Sequence, residues 1–197
     1  MNQPSALHDP EGELHALAAR VIAENATVGR SIALAESCTG GLVAAALTDI
    51  AVSSSAFVAG FVTYANAAKI QLAGVPSEVI GQFGAVSQQT VQHMAHGASL
   101  RGDADVAVAI SGVAGPLGGS AEKPVGTVYF ARALRGKPVA DAQYWRGTRS
   151  KLSVWIPLDD ASRANGTLTV VREPTSADTG SWSHVSQQGS LDEVLSF

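Results

Sequence analysis

The sequence predicts an α/β fold: a three-layer α/β/α domain with a largely parallel central sheet, followed by an atypical β-rich, partly disordered C-terminal tail. Three observations support this. Apolar, β-branched runs at 31–35, 56–64, 105–111 and 126–131 read as strands, and segments with helical spacing lie between the first three. The run at 105–111 is almost wholly apolar, which suits a strand covered on both faces. Beyond about Val139 the helical signals stop, and Ser, Gly and Gln accumulate towards residue 197.

With 197 residues, 46% of them hydrophobic, the chain can bury one sizeable core with an appendage. The divisions read as a flexible lead-in at 1–10, a core domain at 11–140 and the tail at 141–197. A net charge of -4 without Lys/Arg runs argues against a nucleic-acid partner. No apolar run approaches the roughly 20 residues of a membrane span. The first residues lack the basic and apolar regions of a secretion signal, and a lone cysteine, Cys38, fits a reducing compartment. A cytoplasmic setting is expected.

Residues 1–10 are polar and hold two prolines. Leu14, Leu17, Ala18, Val21 and Ile22 then recur at helical spacing and define one face, with His15 off the stripe. Turn-formers from Asn25 to Gly29 end that helix. The strand at 31–35 runs into a polar turn and then a helix-forming stretch at 42–47. The strand at 56–64 is apolar and aromatic and reads as buried. Asn66 can cap a short helix bearing Lys69, and Pro76 starts another. Ser87 caps a longer helix whose Val91, Met94, Ala95 and Ala98 share a face. The strand at 105–111 opens into a glycine-rich loop at 112–120 before the strand at 126–131. In the tail, 152–158 and 167–171 look like strands with the turn dipeptide Asn165-Gly166 between them, and 172–197 is expected to be poorly ordered.

Two loops, 36–41 and 111–119, leave the C-terminal ends of strands, the edge where open α/β sheets bind ligands. In the first, Ser37, Cys38 and Thr39 are candidate nucleophiles at a helix start, where backbone N–H groups suit an anion or an oxyanion. The same composition equally suits a plain capped helix. No Gly-x-Ser-x-Gly elbow surrounds Ser37. The second loop is neither a Walker loop nor a dinucleotide fingerprint; its glycines either admit a ligand close to the backbone or serve a structural turn. His93 and His96 are spaced to share a metal, but no third ligand accompanies them, and solvated helix histidines are the simpler reading. Without an evident histidine base, a lysine of lowered pKa could activate Ser37. Lys69 is the suggestive candidate and Tyr64 could hydrogen-bond the pair, while a solvated helix lysine is the competing reading.

Ala35-Glu36-Ser37-Cys38-Thr39-Gly40-Gly41 and Gly60-Phe61-Val62-Thr63-Tyr64-Ala65-Asn66-Ala67-Ala68-Lys69 closely resemble the CinA C-terminal domain family. Gly84-Ala85-Val86-Ser87, the stretch from Ser111 to Gly119 and Glu122-Lys123-Pro124-Val125-Gly126-Thr127-Val128 extend that resemblance over about residues 11–135. It implies an amidohydrolase of pyridine nucleotide recycling, converting nicotinamide mononucleotide to nicotinate mononucleotide and ammonia without cofactor or metal. It implies Ser37 as nucleophile, Lys69 as general base and Tyr64 as the group tuning that pair. Substrate contacts then fall to Cys38, Thr39, Gly40, Gly41, Asn66, Ser111, Gly112, Gly115, Gly118 and Gly119, with Arg149 on the phosphate side. Backbone N–H groups from Cys38 to Gly41 become the oxyanion candidates, and Cys38 a wall of the site. The expected partners are a small-molecule nucleotide substrate and further copies of the chain, most simply in a homodimer.

Towards its end the chain departs from that family. Gly147-Thr148-Arg149 matches the family's Gly-Asp-Arg segment only in part, and no amphipathic helix follows. Asp141-Ala142-Gln143-Tyr144-Trp145 and the stretch 153–168 instead resemble part of the phytanoyl-CoA dioxygenase family, an iron and 2-oxoglutarate fold. That family's His-x-Asp pair is broken: with Asp141 as the Asp, Val139 stands in the His position. The tail thus reads as a fragment joined to the domain by fusion or frameshift. The alternative function is a catalytically impaired nucleotide-binding or regulatory module with the same fold.

Overall fold

The computed structural model describes residues 10–137, together with the backbone of three short strands beyond them. The elements run α1 (Pro10–Thr27), β1 (Ile32–Glu36), α2 (Leu42–Thr48), β2 (Phe57–Val62), α3 (Asn66–Ala73), α4 (Ser77–Phe83), α5 (Gln88–Arg101), β3 (Val106–Gly112) and β4 (Thr127–Leu134). β5 (Gln143–Arg146), β6 (Ser153–Val154) and β7 (Val170–Val171) follow. The main sheet has the order β2-β1-β3-β4-β5. β1 is parallel to β2 and β3, and β4 is antiparallel to both of its neighbours, so β5 again runs with the first three. The sheet is therefore largely parallel, with one reversed strand.

Strand alternation divides the core by size. Ala33, Ala35, Ala107, Ala109, Ala131 and Ala133 line one face of the sheet. Ile32, Leu34, Val108, Ile110, Val128 and Phe130 line the other. The alanine face has no bulk of its own, so α5 fills it with Val91, Met94, Ala95 and Ala98, the four residues its spacing predicts, all fully buried. α3 and α4 pack on this side as well, through Ala73, Val79 and Ile80. The bulky face takes α1 and α2, which contribute Ala18, Ile22 and Leu47. The α3–α5 contact is close enough to demand glycine: a Cβ on Gly97 would sit 1.6 Å from Ala73 O.

Several local readings change. The strand predicted at 56–64 is an edge strand, and it alternates between half-buried and exposed rather than being buried throughout. Ala59 and Phe61 pack inward, while Val58 and Val62 emerge on the side that the short α2 covers only in part. α1 continues through Asn25 to Thr27, with Asn25 Nδ2 donating to Val21 O over 2.7 Å. Asn66 does not cap α3: Ala65 occupies that position, and exposed Asn66 is the first helical residue. Ser87 does cap α5, its Oγ accepting the Thr90 N–H at 3.2 Å.

β5 falls within the segment 141–197 yet extends the main sheet, while β6 and β7 pair antiparallel inside the two predicted tail strands. The lead-in at 1–9, the expected disorder of 172–197 and Arg149 lie outside the described residues.

Candidate active site

Three strand ends converge on Ser37. The Thr63 N–H donates to Glu36 O at 2.7 Å and the Ser37 N–H to Ile110 O at 2.9 Å, which pins the residue between the ends of β2 and β3. The chain then turns sharply, with the Gly40 N–H donating to Ser37 O. Gly40 and Gly41 follow each other in the left-handed region, at φ +61° and +101°, which two side-chain-bearing residues would rarely tolerate. The turn presents the Ser37 side chain to α3.

Lys69 meets it there. This lysine, in the first turn of α3, is only 1% exposed, and Ser37 is 7% exposed. Nζ lies 2.9 Å from Ser37 Oγ, 2.7 Å from Thr63 O and 3.1 Å from Tyr64 O. No acidic side chain is among these partners. Burial pushes the Lys69 pKa below the ordinary lysine value, with the nearby Cys38 thiol opposing the shift in its ionised form. A neutral amine has two N–H donors and one lone pair. The two carbonyls take the donors, which leaves the lone pair for the Ser37 hydroxyl proton. The solvated-lysine reading is excluded.

Glu36 redraws the oxyanion expectation. Its carboxylate is buried and accepts from the Gly41 and Val43 N–H groups at 3.1 and 3.2 Å and from the Ala44 N–H at 2.8 Å. An acid placed at the start of α2 neutralises that helix terminus from within. The Gly40 and Gly41 amides are thus already committed, and of the turn's candidate amides those of Cys38 and Thr39 lie against the Cys38 thiol. Burial raises the Cys38 thiol pKa, opposed by these two amides and by Lys69, so the thiol favours its protonated, weakly nucleophilic form. Thr39 Oγ1 is buried without a hydrogen-bond partner.

The remaining candidates divide. Ser111 is buried at the end of β3 next to Ser37, and its Oγ donates to Ala85 O at 2.8 Å. Gly112 makes room for Cys38: a Cβ there would lie 3.0 Å from Sγ and 2.8 Å from Thr127 O. Gly115 and Gly119 fold the glycine-rich loop onto its own return, since a Cβ on either would come within 2.6 Å of Val125. Gly118 has open space around it. The Tyr64 side chain is 70% exposed, and the residue meets Lys69 through its main-chain carbonyl, not its hydroxyl. Asn66 is exposed. His93 and His96 are exposed on α5, and among the described residues no three His, Cys, Asp or Glu side chains group to hold a metal. Spacing did not single out Glu36, the Thr63 carbonyl, Lys123 or Thr127. An acid directly before a Ser/Gly turn and a helix is the readable signal for Glu36; a carbonyl has no side-chain signature.

Fold and site together define an α/β domain that carries a buried Ser–Lys pair at the C-terminal edge of its sheet. The chain belongs to the CinA C-terminal domain family, whose family model matches residues 14–154. It is 51% identical over 140 residues to the nicotinamide-nucleotide amidohydrolase PncC of Enterobacter agglomerans, covering 71% of this chain and 85% of that protein. Against the PncC of Escherichia coli K12 it is 54% identical over 122 residues, 61% of this chain and 74% of the relative. A CinA-like protein of Geobacter sulfurreducens is 48% identical over 124 residues, which span only 30% of that longer protein. Among solved structures, the competence/damage inducible protein CihA of Agrobacterium tumefaciens superposes with a TM-score of 0.66 at 48% identity, covering 72% of this chain and 84% of that one. No helix among the described residues is long and apolar enough to cross a membrane.

Proposed function

We propose that the chain is a nicotinamide-nucleotide amidohydrolase that converts nicotinamide mononucleotide to nicotinate mononucleotide and ammonia through Ser37 and Lys69. The observation that carries this reading is the sealed contact of 2.9 Å between Lys69 Nζ and Ser37 Oγ. The names of the PncC relatives supply the substrate class. Neutral Lys69 takes the Ser37 proton as Oγ bonds to the carboxamide carbon. On this reading the Cys38 and Thr39 amides, which lie against the Cys38 thiol, are the donors assigned to the oxygen that becomes negative. Protonated Lys69 then gives its proton to the amide nitrogen, the C–N bond breaks and ammonia leaves an acyl-Ser37 ester. Water, deprotonated by Lys69, attacks that ester and releases the carboxylate product.

The same reading takes the chain as a cytoplasmic homodimer. Val58 and Val62 are exposed on β2, an edge strand, and Tyr64 just beyond it is exposed too, which supports self-association; sedimentation at micromolar concentration tests it.

The decisive test of the activity is to incubate the protein with nicotinamide mononucleotide and measure ammonia and nicotinate mononucleotide together. Both should form in equal amounts. Binding without either product would instead favour the non-catalytic nucleotide-binding module.

A further inference from the structure

A mononucleotide carries a phosphate as well as a carboxamide, and the nearest helix start offers it nothing. The α2 amides are taken by Glu36. Two other groups at the same sheet edge have no role in the chemistry above. Lys123, half-buried in the return of the glycine-rich loop, places Nζ 2.8 Å from Phe83 O at the end of α4. Thr127, the first residue of β4, is 2% exposed and its Oγ1 has no hydrogen-bond partner. Three buried side-chain atoms among the described residues are unpartnered in this way. Two of them, Thr39 Oγ1 and Thr127 Oγ1, sit at the Ser37 edge, and the third, on Asn25, lies at the end of α1.

Sheet parity puts Ser37, Ser111 and Thr127 on one side. The alanine face consists of odd-numbered positions of β1, β3 and β4, and Ser37, Ser111 and Thr127 continue that parity at the C-terminal edge. Ser111 reaches Ala85 O and Lys123 reaches Phe83 O, so both are tied to the connection between α4 and α5. With adjacent strands about 4.8 Å apart and Thr127 two residues along β4 from the position level with Ser37, which follows β1, the two are roughly 12 Å apart. That is comparable with the reach of an extended mononucleotide from carboxamide to phosphate. Among the residues whose side chains are described, Lys123 is the one Lys or Arg besides Lys69 with a contact at this edge, while the backbone of Arg146 on β5 is registered opposite Thr127. Arg101 packs against Gly74, and Arg135 pairs with Asp103 and Asp105 at the opposite edge.

The contact with Phe83 O alone could be a lysine capping the C-terminus of α4. It uses one of three ammonium donors, however, and leaves two for an anion. We propose that Lys123, together with Thr127 Oγ1, binds the substrate phosphate and sets a preference for phosphorylated over unphosphorylated nicotinamide compounds. This rests on the amidase reading.

The test compares wild type, Lys123→Gln, Lys123→Arg and Thr127→Val on nicotinamide mononucleotide and on nicotinamide riboside, which lacks the phosphate. Lys123→Gln should raise KM for the mononucleotide about 10- to 100-fold, as expected for a lost charge-assisted contact, and leave kcat/KM for the riboside within about twofold. Lys123→Arg should recover much of the loss, and Thr127→Val should show a smaller effect in the same direction. Inorganic phosphate should compete with the mononucleotide in wild type and not in Lys123→Gln. Equal losses on both substrates would mark Lys123 as a loop anchor only, and an unchanged KM would also overturn the proposal. Should wild type release ammonia from neither substrate, the amidase reading fails by itself. Calorimetric binding of inorganic phosphate, present in wild type and weakened in Lys123→Gln, then still decides the role of Lys123.

Discussion

Lys69 Nζ lies 2.9 Å from Ser37 Oγ while two main-chain carbonyls, of Thr63 and Tyr64, take its other hydrogen bonds, and among the described residues none of its hydrogen-bond partners is a carboxylate. A carboxylate there would hold the amine protonated; carbonyls orient it without donating a charge. Lys69→Met should therefore lower kcat for ammonia release by at least about 10²- to 10⁴-fold, the usual worth of a general base, with the fold intact by circular dichroism. Lys69→Arg should not rescue it, because a guanidinium does not give up its proton.

Burial lowers the Lys69 pKa, so the pH–rate profile of kcat/KM should rise on a limb whose midpoint lies below the ordinary lysine value of about 10.4. Stability should follow the same group. Between the lowered native value and the ordinary one, the unfolded chain holds a proton that the folded chain does not. Stability accordingly rises with pH across that window. Urea unfolding at a series of pH values should show this slope in wild type and not in Lys69→Met.

Thr39 Oγ1 has no partner to lose in the free protein. Thr39→Val should leave the thermal midpoint unchanged or slightly raised, yet lower kcat by about tenfold if the hydroxyl meets the substrate carboxamide. Thr39→Ser should retain activity. A fall in stability without a change in kcat would assign the hydroxyl to the fold alone.

Gly97→Ala tests the packing. Its Cβ would fall 1.6 Å from a backbone oxygen of α3, and backbone cannot move aside as a side-chain tip can. A loss of about 1–3 kcal/mol or more is expected in chemical denaturation, since α3 must shift and carries Lys69 with it. Activity should fall in parallel.

The α5 face is legible in the sequence because Val91, Met94, Ala95 and Ala98 obey one period and meet one partner, the alanine face of the sheet. The strand at 56–64 is less so: its composition announces burial, but edge position, which sequence does not encode locally, leaves Val58 and Val62 out. The Ser37–Lys69 pair is 32 residues apart, and no spacing rule joins them; the parallel pairing of β1 and β2 does. The family resemblance selects both residues without that geometry. Tyr64 marks its limit, since a residue in the right motif contributes its carbonyl and holds its ring in solvent. Lys123 and Phe83 meet across 40 residues through a loop whose path no periodicity describes.

Ser37 and Cys38 are adjacent, and either could in principle carry the acyl group, so the most direct test of the account separates them. Ammonia release from nicotinamide mononucleotide should be measured for Ser37→Ala and Cys38→Ala, with intact-protein mass spectrometry of the wild type during turnover. Ser37→Ala should release no ammonia, Cys38→Ala should release it substantially, and any acyl adduct should map to Ser37. Persistent release from Ser37→Ala, or an adduct on Cys38, would contradict it.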